Sequence, residues 1–273
     1  MKLTKIVLAC AAVLALTVAG TSAMAETKIT MNGSTTVLPI AQKAAEVYMQ
    51  KNPGVNITVS GTGSGDGIKS IIDGTADIGN ASRDMKDKEK KLAEEKGVKP
   101  VRHTVALDCI VPVVNPANPV SGLKVEQLKA IYTGEVKNWK EVGGEDKPIV
   151  VVSRDSSSGT FEVWHEKVLE GAKVRPDAQL QASNGAVAQT VAGNKYAIGY
   201  VGIGYLNPKL KGLTVNGVTA SAATAKDGSY PIARSLFMFT NGEPQGEVKK
   251  LLDWIKSPEG QKIVEEEGFV RAY

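Results

Sequence analysis

Short apolar runs alternate with amphipathic helical stretches from residue 27 almost to the C-terminus, and this alternation restricts the fold more than any other property of the chain. TKITMN reads as a strand, and VLPIAQKAAEVYMQKN as a helix with Val37, Ile40, Ala41, Ala44, Val47 and Tyr48 on one face. VNITVS is the next strand. The glycine-rich GTGSGDG then opens a short helix through Ile68, Ile71 and Ile72. ADIGNAS is a short buried strand and turn, and KDKEKKLAEEKG a solvated helix ended by Gly97. Three strand–helix units in succession predict an α/β domain with largely parallel strands.

A second α/β unit follows, with HTVALDCIVPVVNP, PIVVVS and YAIGYVG as strands and VEQLKAIYTG, GTFEVWHEKVLEG and GAVAQTVAGN as helices. The chain closes with a strand in SYPIARSLFMFTNG and two helices, PQGEVKKLLDWIKS and PEGQKIVEEEG. The two long strands near 101–114 and 230–240 flank the middle unit and are the natural crossings between two lobes. The expected division is a discontinuous first lobe, 26–105 with 233–273, and a continuous second lobe, 106–232.

The N-terminus points to export. Lys2 and Lys5 precede an apolar stretch from Ile6 to about Ala19, and Ala23-Met24-Ala25 follows as a small-residue cleavage site, the pattern of a signal peptide over residues 1–25. The stretch is shorter than the roughly 20 residues a spanning helix needs, and a lipoprotein site at Cys10 would leave almost no apolar region before it. Cleavage near Ala25 is expected to release a periplasmic chain of 248 residues with no membrane span and a single cysteine, Cys109, which sits in ALDCIVPVV as a small buried apolar residue.

Composition narrows the partners. Without Lys2 and Lys5 the formal net charge falls from +4 to +2, too small a surplus for nucleic acid, and 5% aromatics provide no stacking platform for single strands. Any selectivity for anions must come from local donors. Four segments supply them where a strand hands over to a helix: NGSTTVLP (Ser34, Thr35, Thr36), GTGSGDGIK (Ser64, Gly65), NASRD (Ser82, Arg83) and SRDSSSGTF (Arg154, Ser156, Ser158, Gly159, Thr160). In an open α/β sheet this handover lies at the carboxyl ends of the strands, where such folds bind ligands. Each segment alone reads as an N-cap worth about 1 kcal/mol, and a lone arginine as a surface ion-pair partner. Jointly, three segments on one lobe and one on the other predict a cleft site for an oxyanion.

Signatures of catalysis are thin. His103 and His165 with Cys109 are too few and too scattered for a zinc site, so neither metal nor cofactor is expected. No Gly-Lys dipeptide exists for a Walker A loop, GTGSGDG lacks the spacing of a dinucleotide fingerprint, and DSSSGT does not fit a nucleophile elbow. The chain is expected to hold an anion, not to transform one.

At these segments the chain resembles the PstS family of periplasmic phosphate-binding proteins, which feed the Pst-type phosphate ABC importer. GSTTVLPIA, GTGSGDGIKSIIDGTADIGNASR, SRDSSSGT and SNGAVAQTVAGNKYAIGYVGIGYL look like the family's segments in the family's order, from about Gly33 to the C-terminus. The resemblance implies a two-lobed type II periplasmic-binding-protein fold, with the ligand cleft between the lobes, acting as a monomer that delivers inorganic phosphate to membrane permease subunits. Carried over, Ser34 to Thr36 and Ser64 would donate from the first lobe, and Arg154, Ser158, Gly159 and Thr160 from the second.

One position departs from the pattern. Where the best-known members carry an aspartate after AS, accepting the proton of hydrogen phosphate, this chain has Arg83 and then Asp84. Ser156 stands where an aspartate often orients the second-lobe arginine, with Asp66, Asp84 and Asp155 as candidate replacements. The missing acid leaves open tungstate, molybdate or sulfate as ligands, since a carboxylate facing the anion is what rejects a fully ionised one. A secreted phosphoester hydrolase on the same scaffold is the alternative from another class, motivated by the serines beside Arg154 and opposed by the absence of a nucleophile–base pair.

Overall fold

The computed structural model describes residues 27–273, so the leader lies outside the described residues. The first three strand–helix units appear as read: β1 (Thr27–Gly33), α1 (Leu38–Lys51), β2 (Val55–Gly61), α2 (Ser64–Ile72), β3 (Ile78–Ala81) and α3 (Asp87–Glu95). β4 (Pro100–Val114) is the longest strand described, and β5 (Gly122–Leu123), α4 (Val125–Thr133), β6 (Val150–Arg154), α5 (Gly159–Lys167), β7 (Gln179–Gln181), α6 (Asn184–Ala192) and β8 (Ala197–Gly202) follow it. The remainder comprises β9 (Lys211–Gly212), β10 (Thr214–Val215), α7 (Ala222–Lys226), β11 (Ala233–Asn241), α8 (Gly246–Lys256), α9 (Pro258–Glu266) and β12 (Val270–Arg271).

One hydrogen-bonded path runs β2-β1-β3-β11-β4-β8-β6-β7. Within each half the pairs are parallel, β1 with β2 and β3, and β6 with β7 and β8. The centre is not. The parallel pairing expected of the first three units is present, but β11 runs antiparallel to both β3 and β4, and β4 antiparallel to β8, so the sheet as a whole is mixed. The cause is the chain's path: β4 carries it out of the first half and β11 carries it back, and a return strand beside its outgoing partner must oppose it.

Burial divides along the same strands. One core gathers Cys109 to Val114 of β4 with Leu128, Tyr132, Val152, Trp164, Val187, Ile198 and Tyr200. The other takes Val105 and Ala106 of β4 with Ile29, Met31, Ile40, Ile78, Leu236, Met238 and Leu252. A smaller cluster of Ile68, Ile71, Ala81, Phe237 and Phe239 packs α2 on the opposite face. β4 thus serves both large cores with its two ends. Trp164 stacks on Tyr200 with centroids 4.3 Å apart, anchoring α5 against β8.

α2 lies unusually close to the sheet. A Cβ on Gly67 would come within 2.8 Å of the Asn80 carbonyl, the Asn32 carbonyl and the Gly33 Cα, so a side chain there would push the helix off β1 and β3. The glycines of GTGSGDG therefore set a helix-to-sheet approach, and through it the position of Ser64 at the helix start.

Candidate functional site

Four helix starts, those of α1, α2, α5 and α6, bring their polar side chains to one buried cluster. Thr36 Oγ1 and Thr160 Oγ1 are 2.9 Å apart although one precedes α1 and the other opens α5. Asn184, the first residue of α6, donates through Nδ2 to Thr35 Oγ1 and Thr36 Oγ1, both at 3.0 Å, and its Oδ1 accepts from the Gly202 N–H at 3.1 Å. Ser64 Oγ accepts from the Ser82 N–H at 3.0 Å and lies 3.1 Å from Ser82 Oγ. The side chains of Thr35, Thr36, Ser64, Ser82, Thr160 and Asn184 are all buried.

Backbone geometry tightens the same junction. A Cβ on Gly159 would sit 2.3 Å from Ser64 Oγ and 2.8 Å from Ser82 Oγ, so the start of α5 touches the start of α2 across the gap between the two cores. The Gly65 N–H donates to the Ser157 carbonyl at 2.9 Å, and Ser157 Oγ donates to the Thr62 carbonyl at 3.1 Å. Tyr205 donates its hydroxyl to the Thr35 carbonyl. The first N–H groups of a helix have no partner within it, and here several such ends share one dry space.

The serines before these helices divide by role. Ser34 Oγ accepts from the Thr36 and Val37 N–H groups at 3.1 and 3.4 Å, and Ser158 Oγ accepts from the Phe161 N–H at 3.1 Å. Ser158 caps α5 and Ser34 ties the turn that precedes α1, so the two hydroxyls hold the turns that present Thr35, Thr36, Gly159 and Thr160. Ser156 is exposed and borders a groove with Phe161, Arg175 and Leu180, so the structure does not bring it to the cluster. Its neighbour Ser157 makes the contact across the gap instead.

Three arginines lie close by. Arg83 is buried with its fork on Glu89, Nη1–Oε2 at 2.7 Å and Nη2–Oε1 at 2.8 Å, while its Nε is buried with no partner. Burial pushes the Glu89 carboxyl up, and bonds from Arg83 and the Lys86 N–H outweigh it and hold it below its ordinary range. Arg154, only 1% exposed, donates from Nε to the Gln181 carbonyl at 2.9 Å and from Nη2 to the Ala182 carbonyl at 3.0 Å. Its Nη1 is buried with no partner. Burial lowers the Arg154 pKa, with Asp155 pulling it back up.

The third arginine, Arg234 of β11, was not among the sequence candidates. Its Nε donates to Asp108 Oδ2 at 2.9 Å, its Nη1 to the Ser82 carbonyl at 3.1 Å, and its Nη2 to Thr36 Oγ1 at 3.2 Å and Thr160 Oγ1 at 3.0 Å. Asp108 is fully buried and accepts the Ile203 N–H at 2.9 Å through Oδ1. Burial pushes the Asp108 carboxyl up against the opposing pull of Arg234 and of the Ile203 and Cys109 N–H groups. Of the candidate acids, Asp84 pairs with Arg102 at the surface, Asp155 accepts from Ser157 and Asp66 is exposed. Asp108, paired with Arg234, is a further carboxylate in the cluster, and of the three candidates Asp155 is the one whose charge acts on Arg154. Asn184 was missed as well. The signal available was the odd polar residue in an apolar run, Asp108 in ALDCIV and Arg234 in PIARSLF.

A groove of about 480 Å³ is bordered by Arg83, Lys86, Glu162, Phe237 and Arg234, of which Arg234 also touches the cluster, and the Lys86–Glu162 ion pair lies beside it. His103 is engaged elsewhere, with Thr240 Oγ1 at 3.0 Å and Lys256 Nζ at 3.1 Å. Among the described residues no three His, Cys, Asp or Glu side chains gather as metal ligands.

Comparison with known proteins places this geometry in context. A profile of the PBP superfamily domain matches residues 18–259. The phosphate-binding protein PstS of Bacillus subtilis (strain 168) is 36% identical over 244 residues, which cover 89% of this chain and 80% of that protein. PstS of Staphylococcus aureus (strain USA300) is 33% identical over 254 residues, 88% of this chain and 77% of its own. A Clostridium perfringens ABC transporter substrate-binding protein solved with bound phosphate superposes with a TM-score of 0.83 at 37% identity, covering 90% of this chain and all (100%) of that one. An ABC-type phosphate transport receptor from Vibrio cholerae superposes with a TM-score of 0.73 at 31% identity, covering 89% and 99%.

Proposed function

Because the chain belongs to the PBP superfamily and, within it, to the PstS family of phosphate-binding proteins, we propose that its buried cluster holds one inorganic phosphate for delivery to an ABC importer. The fold is that of the type II binding proteins, and the protein is an extracytoplasmic receptor, not an enzyme. The observation that carries the site assignment is the 2.9 Å meeting of Thr36 and Thr160, hydroxyls contributed by opposite cores.

On this reading the two cores are two lobes, 26–105 with 233–273 and 106–232, joined through β4 and β11. Thr35, Thr36 and Ser64 donate from the first lobe, and Gly159, Thr160 and the free Nη1 of Arg154 from the second, while Ser34 and Ser158 brace the turns. An anion at helix starts is stabilised by N–H groups and dipoles already pointing at it, so a dianion needs no equal countercharge. Only the closed arrangement lets both sets reach one ion, and binding shifts the opening equilibrium toward it by that difference in contacts. The mature protein acts as a periplasmic monomer after cleavage near Ala25, and its closed surface is what the permease subunits read.

Calorimetric titration of phosphate-stripped protein checks this. One phosphate per chain is expected, with strong preference over sulfate, tungstate and molybdate. Arg154→Ala and Ser64→Ala should each weaken phosphate binding by about tenfold or more, the scale of a lost charge-assisted or buried hydrogen bond. Unchanged affinity in both would put the pocket elsewhere.

A further inference from the structure

The three arginines near the cluster differ in what they reach: Arg83 Nε and Arg154 Nη1 are buried without a partner, whereas every guanidinium nitrogen of Arg234 is already bonded. Arg83 is committed to Glu89, and Arg154 is tethered to two backbone carbonyls on the side of the second core. Arg234 alone touches groups of both cores. Its Nη2 reaches Thr36 at the start of α1 and Thr160 at the start of α5, while Nη1 holds the Ser82 carbonyl at the end of β3.

Position explains how one side chain can do this. Arg234 and Asp108 are cross-strand partners in the register of β11 and β4, the two strands that pass between the cores. A group on the pivot moves least when two bodies rotate about it, whereas the helix starts that carry Thr36 and Thr160 move most. Asp108 takes the Nε edge of the guanidinium, also contacts Nη2 at 2.7 Å, and is itself fixed by the Ile203 N–H. The remaining face of the fork is turned to the hydroxyls.

The chemistry at that face is rich in donors. Thr36 Oγ1 accepts from Arg234 and from Asn184, Thr160 Oγ1 accepts from Arg234, and Thr35 Oγ1 accepts from Asn184. Hydroxyl oxygens filled by N–H donors direct their own hydrogens onward, and the single bond between Thr36 and Thr160 uses only one of them. Stability does not account for the arrangement either, since a buried ion pair returns little more than its desolvation cost. What the pair does provide is a fixed cation whose Nη2 reaches the Thr36 and Thr160 hydroxyls at once.

We infer that Arg234, held by Asp108, is an anion-binding residue on the pivot, against which the hydroxyls of both lobes dock when the ligand is enclosed. The inference rests on reading the cluster as the phosphate site. It adds a guanidinium to the site beside Arg154, and it ties ligand contact to closure through one side chain.

The test titrates inorganic phosphate into the stripped mature chain, its Arg234→Gln and Arg234→Lys variants, and an Arg102→Gln control that removes a surface partner of Asp84. Thermal unfolding checks that each is folded, and small-angle X-ray scattering follows contraction on binding. Arg234→Gln should lose affinity by about a hundredfold and Arg234→Lys by about tenfold, because an ammonium keeps the charge but cannot serve Asp108, Ser82 and the anion together. At saturating phosphate Arg234→Gln should also contract less than the parent, and the control should bind within about twofold of it. A folded Arg234→Gln that binds within about threefold of the parent overturns the inference and leaves the phosphate reading standing, even if its melting temperature falls. If Arg234→Gln does not fold, Arg234→Lys decides by the same threshold. A parent that binds no phosphate defeats the functional reading itself, and this inference with it.

Discussion

At the scale of single residues, the start of α5 meets the start of α2 where Gly159 leaves no room for a side chain. Gly159 opens α5, where alanine is the better helix former, so helix propensity alone favours Gly159→Ala. The added Cβ would nonetheless collide with Ser64 and Ser82 on the opposite core. Phosphate affinity measured by calorimetry should fall by about tenfold or more, the reverse of what helix propensity alone predicts. The residues of SRDSSSGTF were legible as a group because hydroxyls and glycine before a helical pattern have a local meaning. Their individual roles were not. Ser156 and Ser157 are neighbours of one type, and only the path of the turn sends one outward and the other to the Thr62 carbonyl.

At the scale of elements, α3 shows how a turn next to the site is held. Glu89 accepts both the Arg83 fork and the Lys86 N–H, which stabilises the first turn of that helix. Its carboxyl is held below the ordinary range in the folded protein, so its contribution is fully present above the unfolded value of about 4.3 and is lost as pH falls through the folded one. Glu89→Gln should therefore cost roughly 1–3 kcal/mol at neutral pH and flatten the acid limb of a plot of thermal midpoint against pH. Elements with strong periodicity, α1 and α8 among them, could be read from the chain because burial on one face imposes the spacing. The pairing of β5 with β10 could not, since two-residue strands carry no period. Nor could the meeting of Asp108 with Arg234, because register between strands so distant in the chain is set by the whole sheet.

For the molecule as a whole, the contacts spanning the gap are both apolar and polar, with Ile203 and Tyr205 packed against the two cores alike. Besides the cluster the polar ones include the Ser157 bonds and the Lys86–Glu162 pair, whose side chains are 34% and 22% exposed. A partly solvated pair contributes modestly, so Glu162→Ala should weaken phosphate binding by only about two- to fivefold while raising the radius of gyration of the stripped protein in scattering. Cys109, the one cysteine among the described residues, is buried beside Asp108, and burial pushes its thiol up to about 12. Its sulfur is thereby shielded and protonated at neutral pH. A fluorescent maleimide directed to a cysteine newly placed on the rim of the groove would leave this native sulfur unlabelled, and the chain can serve as an optical gauge of its own ligand without prior removal of Cys109.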